Sequence, residues 1–193
     1  MKIVCLLGSP RRDGNSATIA KRFIETATSL GAEIRTFELN RLKYRGCQAC
    51  CACKTTRDTC VQKDDLTEVL KAIREKEADI YLLAFPVYSG GLPGQVKCFT
   101  DRCFSFTIPD FVGHPQPSRV PPGKKGIIIV TQGATEEKYT EIAEQQQMSL
   151  KNRWRLDEVH LIRACNVGPG AIPKGVPDNY LQQAEELARK LIT

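Results

Sequence analysis

Histidine is nearly absent from this chain: His114 and His160 are the only two among 193 residues. They lie far apart and no serine or cysteine motif accompanies either, so a hydrolytic triad is not expected. No run of about 18 apolar residues occurs, which removes any expectation of a transmembrane helix. Lys2 passes directly into a strand-like run instead of the longer apolar region of a signal peptide, so a cytoplasmic protein is expected. No basic run exceeds two residues and no nucleic-acid-binding motif is recognisable. The net charge of +6 is modest; it reads first as a mixed solvated surface and second as an attraction for phosphorylated cofactors or acidic electron carriers.

Cysteine, by contrast, is plentiful, with 9 residues. In a reducing compartment such a number points to metal binding or catalysis before it points to disulfides. Hydrophobic residues make up 41% of the chain, enough to bury a core without covalent or metal staples.

The stretch Gly8-Ser-Pro-Arg-Arg-Asp-Gly-Asn-Ser16 sits between the apolar run Ile3–Leu7 and a helix-patterned segment. Gly8 and Gly14 permit a tight strand-to-helix turn, Ser9, Asn15 and Ser16 bring short side-chain donors, and the amides of the new helix point at an anion. Arg11 and Arg12 add charge for a dianion. The spacing matches neither the Walker Lys-Ser/Thr pattern nor G-x-G-x-x-G, so one terminal phosphate monoester is the expected guest. A second loop, Pro86-Val-Tyr-Ser-Gly-Gly-Leu-Pro-Gly-Gln-Val-Lys97, follows the apolar run Ile80–Phe85 and offers amides and an aromatic face suited to the edge of a flat ring. A third strand, Gly126–Val130, ends in Thr131-Gln132-Gly133-Ala134. In an open parallel α/β sheet, ligands bind outside the carboxyl ends of the strands.

Apolar periodicity gives strands at about 2–8, 33–39, 79–85, 125–131 and 157–164. Helices are expected at about 15–30, 65–76, 93–105, 135–150 and 178–192, with Asn15 as a cap of the first and Gly31 as its stop. Residues 107–123 are Pro-rich and long for a connection; they are expected to cover the site or to pack on a second subunit. A second loop, 168–175, is read as the turn into the last helix. Cys5, Cys98, Cys103 and Cys165 read as small core residues, and Trp154, flanked by Arg153 and Arg155, as a helix-end or interface feature.

These loops resemble the flavodoxin-like superfamily, in particular the NAD(P)H-dependent FMN reductase group and its iron-sulfur flavoprotein branch, over essentially the whole chain. The resemblance is carried by Gly8-Ser9-Pro10-Arg11 with Asn15-Ser16, by Pro86-Val87-Tyr88 with Gly90 and the segment Gly94-Gln95-Val96-Lys97 through Asp101-Arg102, and by Thr131-Gln132-Gly133. Many relatives have Trp where this chain has Ser89, and Ser or Thr where it has Pro93. The resemblance implies an α/β, three-layer flavodoxin-like sandwich in one domain over 1–193, with a five-stranded parallel sheet in the order 2-1-3-4-5. It implies bound FMN, with Ser9, Arg11, Asn15 and Ser16 on the phosphate, Pro86, Val87, Tyr88, Ser89 and Gly90 along the ring, and Thr131, Gln132 and Gly133 closing the other side. No side chain need act as general acid or base, because the redox chemistry is the cofactor's. NAD(P)H or reduced ferredoxin is the implied donor, a free flavin, quinone or metal ion the acceptor, and a homodimer or homotetramer the implied assembly. A flavodoxin-type electron carrier and a cysteine-based redox sensor are the competing classes; the basic balance weighs mildly against the carrier.

An insertion at 46–61 carries Cys47, Cys50, Cys51, Cys53 and Cys60, a C-x2-C-x2-C-x6-C pattern with Cys51 interposed. Thiolates at such short separations can converge on one cuboidal cluster, whereas a zinc ribbon needs two knuckles farther apart. The resemblance implies a [4Fe-4S] cluster on Cys47, Cys50, Cys53 and Cys60. The spacing itself permits a cluster, a zinc ion or free redox-active thiols, and cluster-free relatives keep several of these cysteines beside the same Cys-x3-Asp-Asp ending, here Cys60 to Asp65.

Overall fold

In the computed structural model, which describes residues 1–75, 77–168 and 175–192, five parallel strands form one sheet in the order β2-β1-β3-β4-β5. They are β1 (Lys2–Leu7), β2 (Glu33–Glu38), β3 (Ile80–Pro86), β4 (Lys124–Thr131) and β5 (Leu156–Ala164). The order and the all-parallel pairing are those expected from the sequence. β3 is buried at every residue, as an inner strand covered on both faces must be. The edge strand β2 is half exposed.

Alternation along β1 sorts the core into two layers. Ile3, Cys5 and Leu7 meet Ile19, Ala20 and Phe23 of α1 (Asn15–Ser29) and Ala184, Ala188 and Leu191 of α6 (Asp178–Ile192). Val4 and Leu6 face the other layer, built from α3 (Leu66–Arg74), α4 (Gly94–Arg102) and α5 (Thr140–Arg153). α3 buries Leu66, Val69, Leu70 and Ile73, the spacing of one helical stripe. Between β2 and α3 lies the cysteine segment, which holds only the short helix α2 (Ala52–Thr55), not anticipated from the sequence.

Three sequence expectations change, and Trp154, expected at a helix end, stands at the end of α5 and adds a core role to it. α1 is preceded by Gly14 in an extended conformation, so Asn15 is its first residue and not its cap; Gly31, at φ +87°, ends it as expected. The helix expected at 135–150 starts at Thr140 and ends at Arg153. The delay has a cause: the Gln132 side-chain amide donates to the carbonyls of Ala134, Thr135 and Lys138, holding those residues in a loop that a helix would have consumed. Trp154 is 2% exposed and central to the core, meeting Tyr81, Phe99 and Phe106 edge-on at 5.9, 5.8 and 6.4 Å between ring centres. It is the residue that caps the end of α5, and its ring meets Phe99 of α4. The Pro-rich segment 107–123 leads into the start of β4, at the amino edge of the sheet, so it does not cover the carboxyl edge of its own chain. It is pinned there by a Thr107–Ser118 bridge and by the Ser118 hydroxyl donating to the Arg153 carbonyl. Of the turn expected at 168–175, residues 169–174 lie outside the described residues.

Candidate flavin site and cysteine recess

The carboxyl ends of β1, β3 and β4 bring the three singled-out loops to one edge. Gly8 donates its amide to the Ala84 carbonyl at 2.7 Å and accepts from Gln95 Nε2 at 2.7 Å. A Cβ on Gly14 would stand 2.7 Å from Ser9 Oγ, and Ser9 Oγ accepts the Arg11 amide at 3.1 Å, so the loop closes on itself without room for a larger residue. Asn15, Ser16 and Ala17 open α1, where the first amides have no acceptor inside the helix. Ser16 Oγ is buried and has no hydrogen-bond partner among the described residues. Buried hydroxyls are seldom left so. A recess of about 250 Å³ beside the loop is lined by Ser9, Arg11, Arg12, Ala17, Lys21 and Glu38 among others. Arg12 and Lys21 are paired with Glu38 and Asp13, whereas Arg11 forms no ion pair among the described residues. Asn15 is placed differently from its companions: its Nδ2 donates to the Val167 carbonyl at 2.5 Å and ties the first loop to the chain after β5.

After Pro86, the Val87 amide donates to the Thr131 carbonyl at 2.8 Å, which ties the second loop to the third. Tyr88 and Gly91 exchange both backbone hydrogen bonds, at 3.0 and 2.9 Å, around Ser89 and Gly90. Those two residues have φ of 49° and 71°, the signs of a type I′ hairpin turn. Tyr88 is left 40% exposed. A Cβ on Gly90 would lie 3.2 Å from Tyr139 Cε1, so the Tyr139 ring packs directly on this turn. Tyr139, itself at φ 64°, was missed in the sequence because its position depends on the loop that Gln132 builds.

Thr131 and Gln132 are buried. The Gln132 amide is fully engaged, Oε1 accepting from Arg163 at 3.3 Å while Nε2 serves three carbonyls, and its backbone amide donates to Ala164. Gln132 therefore shapes the rim and offers no free donor. Gly133 lies against Gly168, where a Cβ on Gly168 would come 2.9 Å from the Gly133 Cα.

The residues fit the phosphate of an FMN: a glycine-closed cradle, a helix start, an Arg11 without an ion pair and a buried Ser16 hydroxyl without a partner among the described residues are the features a phosphate monoester needs, beside a turn that carries the part-exposed Tyr88.

The cysteine segment lies along α4 from its middle to its end. Cys47, Cys50, Cys51, Cys53 and Cys60 all line one small recess with Arg102 and Phe104. Cys47, Cys50 and Cys51 are exposed, while Cys53 and Cys60 are half-buried. Cys51 lines the recess too; it sits at φ 53° ahead of α2. Burial pushes the Cys53 thiol above its usual range, with Cys60 and Cys47 adding to the effect and the nearby Lys54 opposing it. Among the described residues no three His, Cys, Asp or Glu side chains are arranged to hold a metal ion. The donor chemistry of five thiols around one recess beside a buried cation fits an anionic thiolate-ligated cluster.

Two bases anchor this segment. Lys54 Nζ donates to the carbonyls of Phe104 and Thr107, at 2.6 and 2.5 Å, and lies 4.0 Å from the centre of the Phe104 ring. Arg119 donates to the carbonyls of Cys53 and Ser105, both at 3.0 Å. Cys98, expected in the core, is only half-buried, and a Cβ on Gly46 would touch its sulfur at 3.2 Å. Cys5, Cys103 and Cys165 are buried as expected, and burial pushes the first two thiols up to about 12.

Comparison with known proteins agrees with this geometry. The chain is 31% identical over 191 residues to an iron-sulfur flavoprotein of Archaeoglobus fulgidus, covering 99% of this chain and 79% of that protein. It is 37% identical over 102 residues to an iron-sulfur flavoprotein of Methanosarcina thermophila, where the match spans 53% of this chain and 52% of the relative. An FMN-dependent NADH-azoreductase from Bacillus anthracis shares the fold with a TM-score of 0.75 at 15% identity, covering 100% of both chains. So does an NAD(P)H:quinone oxidoreductase from Methanothermobacter marburgensis, with a TM-score of 0.70 at 20% identity over 100% of this chain and 94% of that one. The model of the NADPH-dependent FMN reductases matches residues 1–153, and the chain belongs to that family of oxidoreductases.

Proposed function

We propose that this FMN-dependent oxidoreductase takes electrons from NADH, NADPH or a reduced ferredoxin and passes them to a small acceptor, with a [4Fe-4S] cluster in the cysteine recess as a second redox centre. The buried Ser16 hydroxyl at the start of α1, without a partner among the described residues, carries the reading. With Ser9, the first-turn amides and Arg11 it holds the phosphate, while Asn15 braces the loop from behind. Pro86, Val87, Tyr88, Ser89 and Gly90 line one side of the ring, and Thr131 and Gly133 the other, on a rim that Gln132 fixes. FMN supplies the acceptance of electrons in pairs and their release; the chain binds it, orients it and leaves a face open.

Cys47, Cys50, Cys53 and Cys60 are the ligands proposed for the cluster. Two observations support them: the shared recess and the names of the relatives, several of which are iron-sulfur flavoproteins. Gly94 and Arg102 stand at the two ends of α4, one beside the ring loop and one in the recess. Eight residues of helix separate them by about 12 Å, so α4 links the two centres. Exposed Arg41, Lys43, Arg45, Arg57 and Lys63 lie within or beside the cysteine segment in sequence, a charge suited to an acidic electron-carrier protein.

A cytoplasmic, homo-oligomeric protein is proposed with this activity; among the described residues no helix is long and apolar enough to cross a membrane. The visible spectrum of anaerobically purified protein, recorded before and after NADH or NADPH, tests the whole reading. Flavin bands that bleach with either donor, over a broad absorbance from the cluster, are expected. Protein that takes up no FMN when loaded would overturn it.

A further inference from the structure

Arg102 is 1% exposed, an enclosure that charged side chains tolerate only when paired. Each N–H of its guanidinium has an acceptor. Nε donates to Cys60 Sγ at 3.0 Å. Nη1 donates to the Arg45 carbonyl at 2.9 Å and to Asp64 Oδ2 at 2.7 Å. Nη2 donates to the Gln62 carbonyl at 3.3 Å and to Asp64 Oδ1 at 3.2 Å. Those five bonds use every donor that an arginine has.

The acceptors are arranged to a purpose. Asp64 takes the planar fork with both oxygens and fixes the plane of the guanidinium. Arg45 lies two residues before Cys47 and Gln62 two residues after Cys60, so the remaining Nη bonds fasten the entering and the leaving arm of the cysteine loop to one side chain of α4. The fifth bond reaches the sulfur itself. Cys60 is the thiol farthest in sequence from the other four, and no other hydrogen bond to its sulfur is found among the described residues.

We infer that Arg102 is the positioning residue of the recess: it closes the cysteine loop and turns Cys60 inward as the fourth ligand through an N–H···S bond. The inference rests on the reading that the recess holds an iron-sulfur cluster. A purely structural arginine needs Asp64 and the two carbonyls, but it has no need of sulfur. A hydrogen bond to a ligand sulfur, from a buried cation, stabilises the more reduced and more negative state of such a cluster and raises its potential. Lysine, whose three donors leave one nitrogen, cannot span both arms and the thiol together.

The test uses the full chain carrying [15N]arginine, reconstituted anaerobically with iron and sulfide. Pulsed EPR on the reduced cluster of the wild type should show a 15N coupling. Arg102→Lys, with the same label, should lose that coupling, retain less iron than wild type, and have a cluster potential shifted to more negative values, while its FMN content and circular dichroism report that the fold is kept. If Arg102→Lys does not fold, the wild-type coupling alone decides. An iron-loaded wild type without 15N coupling overturns the inference and leaves the cluster reading standing, as does a folded Arg102→Lys whose potential does not move. A wild type that takes up neither iron nor sulfide removes the cluster reading and the inference with it.

Discussion

Gly8 lies so close to Val96 that a Cβ placed on it would stand 2.3 Å from Val96 Cγ2. The phosphate loop and the helix that starts beside the ring loop are thus in contact through a residue with no side chain. Gly8→Ala should destabilise the fold by about 1–3 kcal/mol, the usual cost of overpacking, and should weaken FMN binding because the displaced loop includes the phosphate donors. Val96 is β-branched and cannot swing aside freely. Adding Val96→Ala should recover part of the stability, with the Ala84 carbonyl at 3.1 Å limiting the rescue. Urea unfolding of the wild type, Gly8→Ala and the double variant measures this; a Gly8→Ala midpoint equal to wild type would show that the loop absorbs the methyl.

Arg11 lines the recess beside the first loop and forms no ion pair among the described residues, which leads to a ligand-specific expectation for the proposed phosphate site. A hydrogen bond to a charged group is worth about 1.5–3 kcal/mol, or roughly 10- to 150-fold in affinity. Arg11→Ala should therefore weaken FMN by that factor and leave riboflavin, which lacks the phosphate, nearly unaffected. Titration followed by flavin fluorescence separates the two ligands. Equal weakening of both would place Arg11 away from the phosphate.

What the sequence made legible was local or periodic. The strands followed from apolar runs and their order from the family resemblance, Gly31 stopped α1 through its positive φ, and the three loops fell on one edge because every parallel strand in such a sheet delivers its following loop there. What it hid depended on side chains meeting across the fold. Gln132 reads in sequence as one more polar loop residue, yet its amide sets the start of α5 and the place of Tyr139. Trp154, flanked by two arginines, carries no sign that three aromatic rings wait around it. Arg102 reads in sequence as one residue of the helix expected at 93–105; its five hydrogen bonds reach four residues 38 to 57 positions away. A phosphate loop is written in one segment, whereas a clamp is written in several.

The apolar side chains left in solvent predict an assembly. Phe111 is 37% exposed, Met148 61% and Val112 86%. Phe111 and Met148 line one groove of about 310 Å³ between the Pro-rich segment and α5. Because that segment lies at the amino edge, it is free to pack on another copy. Light scattering at micromolar concentration on FMN-loaded protein should give a multiple of the 21.5 kDa chain mass, two or four copies. Met148→Glu with Val112→Glu should lower that mass without loss of helix content. A wild-type mass at the single-chain value would end the oligomer reading.

The cysteine recess sets the last expectation, because five thiols line it and a cuboidal cluster takes four. Cys51 differs from the rest: it is held at positive φ ahead of α2, its carbonyl accepts the Lys54 amide at 2.8 Å, and its thiol lies 3.6 Å from the Ala49 carbonyl. Regular two-residue gaps leave Cys47, Cys50 and Cys53 as converging ligands, with Cys60 from the returning arm. Anaerobic reconstitution should give about four iron and four sulfide per chain. Each Cys→Ser change at Cys47, Cys50, Cys53 or Cys60 should lower that content, whereas Cys51→Ser should preserve it. The four ligand variants should still bind FMN, since the phosphate loop and the ring turn make none of their contacts through these thiols, but should lose electron flow between flavin and cluster. Iron loss in Cys51→Ser with retention in one of the other four would shift the ligand set by one position. A wild type that holds no iron yet reduces free flavin at full rate would leave the simple FMN reductase as the function of the chain.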